Sequence, residues 1–178
     1  RYHKKPLVVP MMSFIGDLDK RLKKKKVPKP VQRFIEEHVR VGKRFLLFVP
    51  RITLLGPIEA ALRRQFPNAK FETVSSKEIY RQERIAKMRA GELDFLVTTT
   101  ILERGVTFPG VDVCVINAHE EEFSREVLVQ IAGRVGRTAG CPTGEVVYFH
   151  NGKTKAMVQA VREIEDLNRQ ALLGREHG

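Results

Sequence analysis

Three side chains, Gln130, Arg134 and Arg137, are spaced so that a single helix would gather them. At about 100° per residue they share a sector roughly 60° wide, while Leu128, Ile131 and Val135 take the opposite side. Two guanidinium groups and an amide then point one way, and an aliphatic side anchors them. A guanidinium keeps its charge and presents a planar fork of donors. Converging arginines therefore suit a polyphosphate, and the charge that develops on a γ-phosphate in transfer. Gly133 and Gly136 each weaken a helix by ~1 kcal/mol relative to alanine, a cost that makes sense where a ligand or another backbone comes close.

A second set of candidates is polar and follows apolar runs. Residues 97–112 (VTTTILERGVTFPGVD) pass from a buried-strand pattern into hydroxyls and glycines. Hydroxyl and backbone N–H groups beyond a strand end position a phosphate backbone without reading bases. Thr98 alone reads equally well as a β-branched strand residue. Arg51 follows the run FLLFV, and Ser75 follows FETV. Each could also be an ordinary solvated surface residue.

The elements that must position these groups alternate along the chain. Residues 31–41 have amphipathic helical spacing, and 45–49 form a short continuous apolar run of the buried-strand kind. Helical patterns follow at 54–66, 77–89, 124–135 and 154–173. Strand patterns lie at 71–74, 95–98, 111–116 and 144–149. Ser124 is a candidate N-cap. The alternation predicts a parallel, doubly wound α/β sheet, in which function gathers at the carboxyl ends of the strands.

At 178 residues and 42% apolar content, the chain supports one sizeable core. No run approaches the roughly 18 apolar residues of a spanning helix. Arg1 opens the chain with no signal-type apolar region, which points to a fragment of a longer protein. Cys114 and Cys141 make no CxxC pair and no metal-ligand spacing. Cys114, inside an apolar run, reads as a small buried hydrophobe, and a reducing cytoplasm fits. Eleven Lys or Arg within residues 1–33, against Asp17 and Asp19, hold nine of the eleven net positive charges. Such a block attracts phosphate chains through counterion release, or it is simply a solvated linker. Pro28-Lys29-Pro30 marks the boundary between a basic arm, 1–29, and a folded domain, 30–178.

QxxGRxGR at 130–137 resembles motif VI of superfamily-2 helicases, and 97–112 resembles their motif V. Residues 45–52 (FLLFVPRI) resemble motif IV, and Ser75-Ser76 with Arg81-Gln82-Glu83-Arg84 resembles the helicase segment that follows it. Residues 96–107, 128–137 and 144–157 are very similar to the ComFA family of competence ATPases. The resemblance implies a RecA-like three-layer parallel sheet with helices on both faces. By the same resemblance Arg134 and Arg137 are arginine fingers, and Gln130, Gly105 and Thr107 contact ATP. Thr107 stands where many members carry Asp. Arg51, Ser75, Thr98 and Thr99 would touch a nucleic-acid backbone, and Thr100 would bridge to motif VI.

The implied ligands are ATP and Mg²⁺, shared with an N-terminal RecA-like domain that this sequence lacks. The implied partners are that domain, single-stranded DNA and other competence proteins, at a cytoplasmic location that could be peripheral to the membrane. No GxxxxGK[ST] is present. Gly152-Lys153-Thr154 lacks the glycine-rich turn that would let backbone cradle phosphates. The family's cysteine-rich zinc segment is missing too, and no metal bound by this chain is expected. Half of an RNA helicase, or a non-catalytic basic module binding nucleic acid or a partner, remain as alternatives.

Overall fold

The computed structural model describes residues 6–77, 79–99, 108, 110–135 and 144–177. Six strands, β1 (Met11–Phe14), β2 (Phe45–Phe48), β3 (Phe71–Val74), β4 (Phe95–Thr98), β5 (Asp112–Val115) and β6 (Val146–His150), pair in the order β1-β6-β5-β2-β4-β3. Every pairing is parallel. The helices are α1 (Leu18–Lys23), α2 (Lys29–Val41), α3 (Leu55–Gln65), α4 (Arg81–Arg89), α5 (Arg125–Ala132) and α6 (Lys155–His177).

Alternation within each strand splits the core into two layers. Leu46, Phe48, Leu96, Val113 and Tyr148 pack with Ile85 and Met88 of α4, Leu128 of α5, and Met157 and Ile164 of α6. Phe45, Leu47, Val97, Cys114 and Phe149 face the other way, against Leu18 of α1, Phe34 and Ile35 of α2, and Ile58 and Leu62 of α3. This is the three-layer parallel architecture expected of a RecA-like domain. Phe45, Phe95 and Phe71 stand in register across β2, β4 and β3, with ring centroids 4.6 and 4.7 Å apart. Stacked cross-strand rings of this kind pin register, so the three strands end level with one another.

The segment assigned from sequence to a basic arm is built into this body. β1 lies along β6 at the sheet's edge, and Val8, Ile15, Leu18 and Val27 are buried. Two further clamps hold it. Asn168 of α6 accepts from Leu7 N at 2.7 Å and donates to Leu7 O at 3.0 Å, and Gln65 of α3 accepts from Val27 N at 2.7 Å. Asp17 caps α1 by accepting from Lys20 N. The apolar side chains of this segment turn inward, while Lys20, Arg21 and Lys23 to Lys26 remain at the surface.

Candidate nucleic-acid interface and nucleotide face

A fully parallel sheet brings all its carboxyl ends to one edge. Along β3, β4 and β2, three neighbours in the sheet, the residues that follow the strands include Ser75, Thr99 and Arg51. Residues far apart in sequence thus form one row. Ser75 and Thr99 are buried, and among the described residues Thr99 Oγ1 has no hydrogen-bond partner. Thr98 differs from its neighbour. It is fully buried in β4, its hydroxyl donates to Thr99 O at 3.4 Å, and its own carbonyl accepts from Val49 N. Thr98 therefore supports the strand end without reaching out from it.

Arg51 is not simply presented to solvent. Its guanidinium donates to Glu120 and lies 3.9 Å from Glu122, both in the loop after β5. The Glu120 hydrogen bond, with the charges of Glu120, Glu122 and Asp19, raises its pKa against the effect of burial. Asn117, in the left-handed region at φ 56°, donates to the other Glu120 oxygen at 2.6 Å, and its own Oδ1 lacks a partner among the described residues. The loop 117–124 is a candidate from sequence as a segment beyond a strand's carboxyl end, but the pairings of Asn117 and Glu120 within it are not, because an acidic residue in a loop carries no local signal of its partner. At the end of β6, His119 Nδ1 accepts from Asn151 N and His150 Nδ1 accepts from Gly152 N. Burial, with Lys153 and His119 nearby, lowers the pKa of His150.

Ser124 does cap α5, accepting from Val127 N. The helix, however, stops at Ala132, short of the expected 135. Arg134 N and Val135 N bond back three residues, to Ile131 O and Ala132 O, in a tighter turn. The helical sector drawn from sequence therefore does not extend through Arg134. Gln130 is exposed, and Arg134 is half-buried with its pKa lowered by desolvation. An exposed amide and a partly desolvated guanidinium at one helix end fit an anionic polyphosphate. Val135 packs beside Gly144, where an added Cβ would come within 2.5 Å of it. Gly105, Thr107, Thr100, Gly136, Arg137 and Cys141 lie outside the described residues.

The Gly152-Lys153-Thr154 segment is a turn and a helix cap. Gly152 adopts φ +131°, and Thr154 Oγ1 accepts from Met157 N at the start of α6. Cys114 is fully buried, and desolvation pushes its thiol pKa well up.

The opposite, amino edge holds a different cluster. His38 of α2 meets a backbone carbonyl, Phe34 O, through Nδ1 and a carboxylate, Asp112 Oδ2, through Nε2, both at 2.8 Å. Both partners accept in their ordinary charge states, so protonating the ring lets both of its nitrogens donate. Burial pulls its pKa down. The Asp112 and Phe34 hydrogen bonds and the charges of Asp112 and Glu145 outweigh that and hold it above the ordinary value. Asp112 Oδ1 accepts from Glu145 N at 3.0 Å. Phe34 stacks on the imidazole at 3.9 Å.

A family model described as the helicase conserved C-terminal domain matches residues 26–139. The chain belongs to that family. It is 41% identical over 171 residues, 96% of its length, to the competence protein ComFA of Bacillus subtilis. It is 38% identical over 171 residues, again 96% of its length, to ComFA of Streptococcus pneumoniae. It spans 36% and 40%, respectively, of those relatives' own length.

Among solved structures, RecG bound to a three-way DNA junction matches with a TM-score of 0.65 at 18% identity, over 96% of this chain and 22% of that one. Domain 2 of the DEAD-box helicase Mss116p, bound to an RNA duplex, matches with 0.62 at 20% identity, over 89% and 59%. These likenesses establish the fold of a second RecA-like helicase domain. Among the described residues, no helix of this helicase domain is long and apolar enough to cross a membrane.

Proposed function

We propose that this helicase domain is the second motor domain of an ATP-dependent single-stranded DNA translocase, acting in DNA uptake during natural competence. The observation that carries the proposal is the row of Ser75, Thr99 and Arg51 on three adjacent strand ends, with a buried hydroxyl in it that has no partner among the described residues. Such a row follows a backbone and ignores bases, which suits a motor that must step along any sequence. Arg51 would leave Glu120 for phosphate. Thr99 Oγ1, which has no partner among the described residues, would bond a phosphate oxygen, and Ser75 would set the far end of the track.

Gln130, Arg134, Arg137, Gly105 and Thr107 would form this chain's share of an ATP site, completed with Mg²⁺ by a preceding RecA-like domain. ATP bound there supplies the phosphoryl transfer that drives movement. The two arginines would stabilise the charge of that step. The similarity to competence proteins favours DNA over RNA, and the site of action in this proposal is cytoplasmic, beside other competence proteins.

The test joins this chain to a Walker-containing partner domain and measures ATP turnover with single-stranded DNA and with RNA. Stimulation by DNA supports the proposal, and stimulation by RNA alone would replace it with an RNA helicase. Robust turnover by the 178-residue chain on its own would overturn the half-motor reading.

A further inference from the structure

The carboxyl edge continues past Arg51 onto β1, where an apolar ring faces solvent. Phe14, the last residue of β1, is 64% exposed, an unusual position for a phenylalanine beside so much charge. The ring is held in place. His150, its partner in register on β6, is buried and meets it edge-on, with centroids 6.1 Å apart at 75°. Ile15 N donates to His150 O at 2.8 Å, which fixes the chain just beyond Phe14. Gly16, at φ +72°, would place a Cβ 3.8 Å from the ring, so the ring lies alongside that turn.

Cations line a recess beside the turn that follows this ring. Gly16 lines a recess with Asp17, Lys20, Arg21 and Lys24. Lys153 is close enough to His150 to lower its pKa. A basic surface with a free aromatic face is the combination that holds single strands, because every base has a π-face while phosphates take the cations.

We propose that Phe14 is a base-stacking platform for single-stranded nucleic acid, extending the phosphate-binding row across β1 to the basic face of α1. This rests on the single-strand reading above and adds what that row lacks, a contact with bases. His150 backs the ring, Gly16 gives it room, and Lys20, Arg21 and Lys24 in the neighbouring recess hold an adjacent phosphate.

The test measures binding of the 178-residue chain to a labelled oligothymidylate and to an abasic strand of equal length. Phe14→Ala should weaken oligothymidylate binding by roughly 5- to 100-fold and change abasic binding by less than about twofold. Phe14→Trp should retain the preference for bases. Arg51→Ala should weaken both substrates alike. If wild type binds both strands equally and Phe14→Ala changes neither, the platform is overturned and the single-strand reading stands. Equal loss on both substrates in Phe14→Ala overturns it as well. Absence of wild-type binding to either strand would overturn the underlying reading itself.

Discussion

Both edges of this sheet carry a cation paired with a carboxylate from a distant segment, and the two pairs differ in burial and in whether the cation titrates near neutral pH. At the carboxyl edge, the side chains of Arg51 and Glu120 are 41% and 20% exposed. At the amino edge, those of His38 and Asp112 are 7% and 6% exposed. An exposed pair contributes roughly 0–1 kcal/mol, so a phosphate can displace the carboxylate at little cost. A buried pair is different. Removing one partner strands the other charge, at about 3–5 kcal/mol. The first pair is exchangeable and the second ties α2 to β5, so the same chemistry serves as a latch at one edge and a rivet at the other.

The largest effect comes from neither pair but from Arg134 and Arg137. Once a complete motor is assembled, Arg134→Ala or Arg137→Ala should reduce kcat with little change in ATP affinity. Arginine fingers in related systems contribute roughly 10³–10⁵ in rate. Single-turnover and nucleotide-binding measurements on both variants check this, and normal turnover in both would assign these arginines to another ligand.

Next comes the rivet. Asp112→Ala should lower unfolding free energy by about 3–5 kcal/mol, read from urea denaturation. Arg51→Ala should change it by less than about 1 kcal/mol. Similar losses in the two variants would erase the contrast between the edges.

The rivet should also respond to pH. His38 has a folded-state pKa above the ordinary 6.5, so its stabilising contribution is complete below that value and is lost as pH rises through the raised one. Burial likewise raises Glu145, with Asp112 and Glu37 adding to the shift and His38 opposing it. That acid, too, favours the folded state on the low-pH side. Unfolding midpoints should therefore fall as pH rises above 6.5 in the wild type, and the fall should shrink in His38→Ala. A midpoint that held steady over this range would show that the ring is not an imidazolium.

The latch gives the smaller effects. Glu120→Gln should free Arg51 and tighten single-strand binding a few-fold, where Arg51→Ala weakens it. Neutralising Lys23, Lys24, Lys25 and Lys26 should flatten the salt dependence of single-strand binding, by about 0.7 in slope for every phosphate that these lysines pair with in the wild type. Substitution is the suitable probe, because deleting residues 1–27 would remove β1 and buried Val8, Ile15, Leu18 and Val27 along with the charge. An unchanged slope would make the lysines a solvated run only.

Much of this domain is legible in one dimension. The runs at 45–49, 95–98 and 111–116 announce β2, β4 and β5, because a strand buried on both faces is largely apolar and its length limits it, and the short FETV segment at 71–74 marks the edge strand β3. Parallel topology follows from their alternation with helices, and with it the edge on which Ser75, Thr99 and Arg51 gather. β1 is invisible in sequence, since four residues with an exposed methionine and phenylalanine at the sheet's edge have neither alternation nor continuous apolarity. The end of α5 at Ala132 is equally hidden, because periodicity continues on paper past the point where the backbone tightens. The pairings that separate latch from rivet span 69 and 74 residues. Local pattern reports which face a residue prefers, but it holds no record of which charge a crossover will bring opposite, or how deeply the two will be buried. Only the tertiary fold decides those, and burial then determines whether an ion pair binds a ligand or holds the domain together.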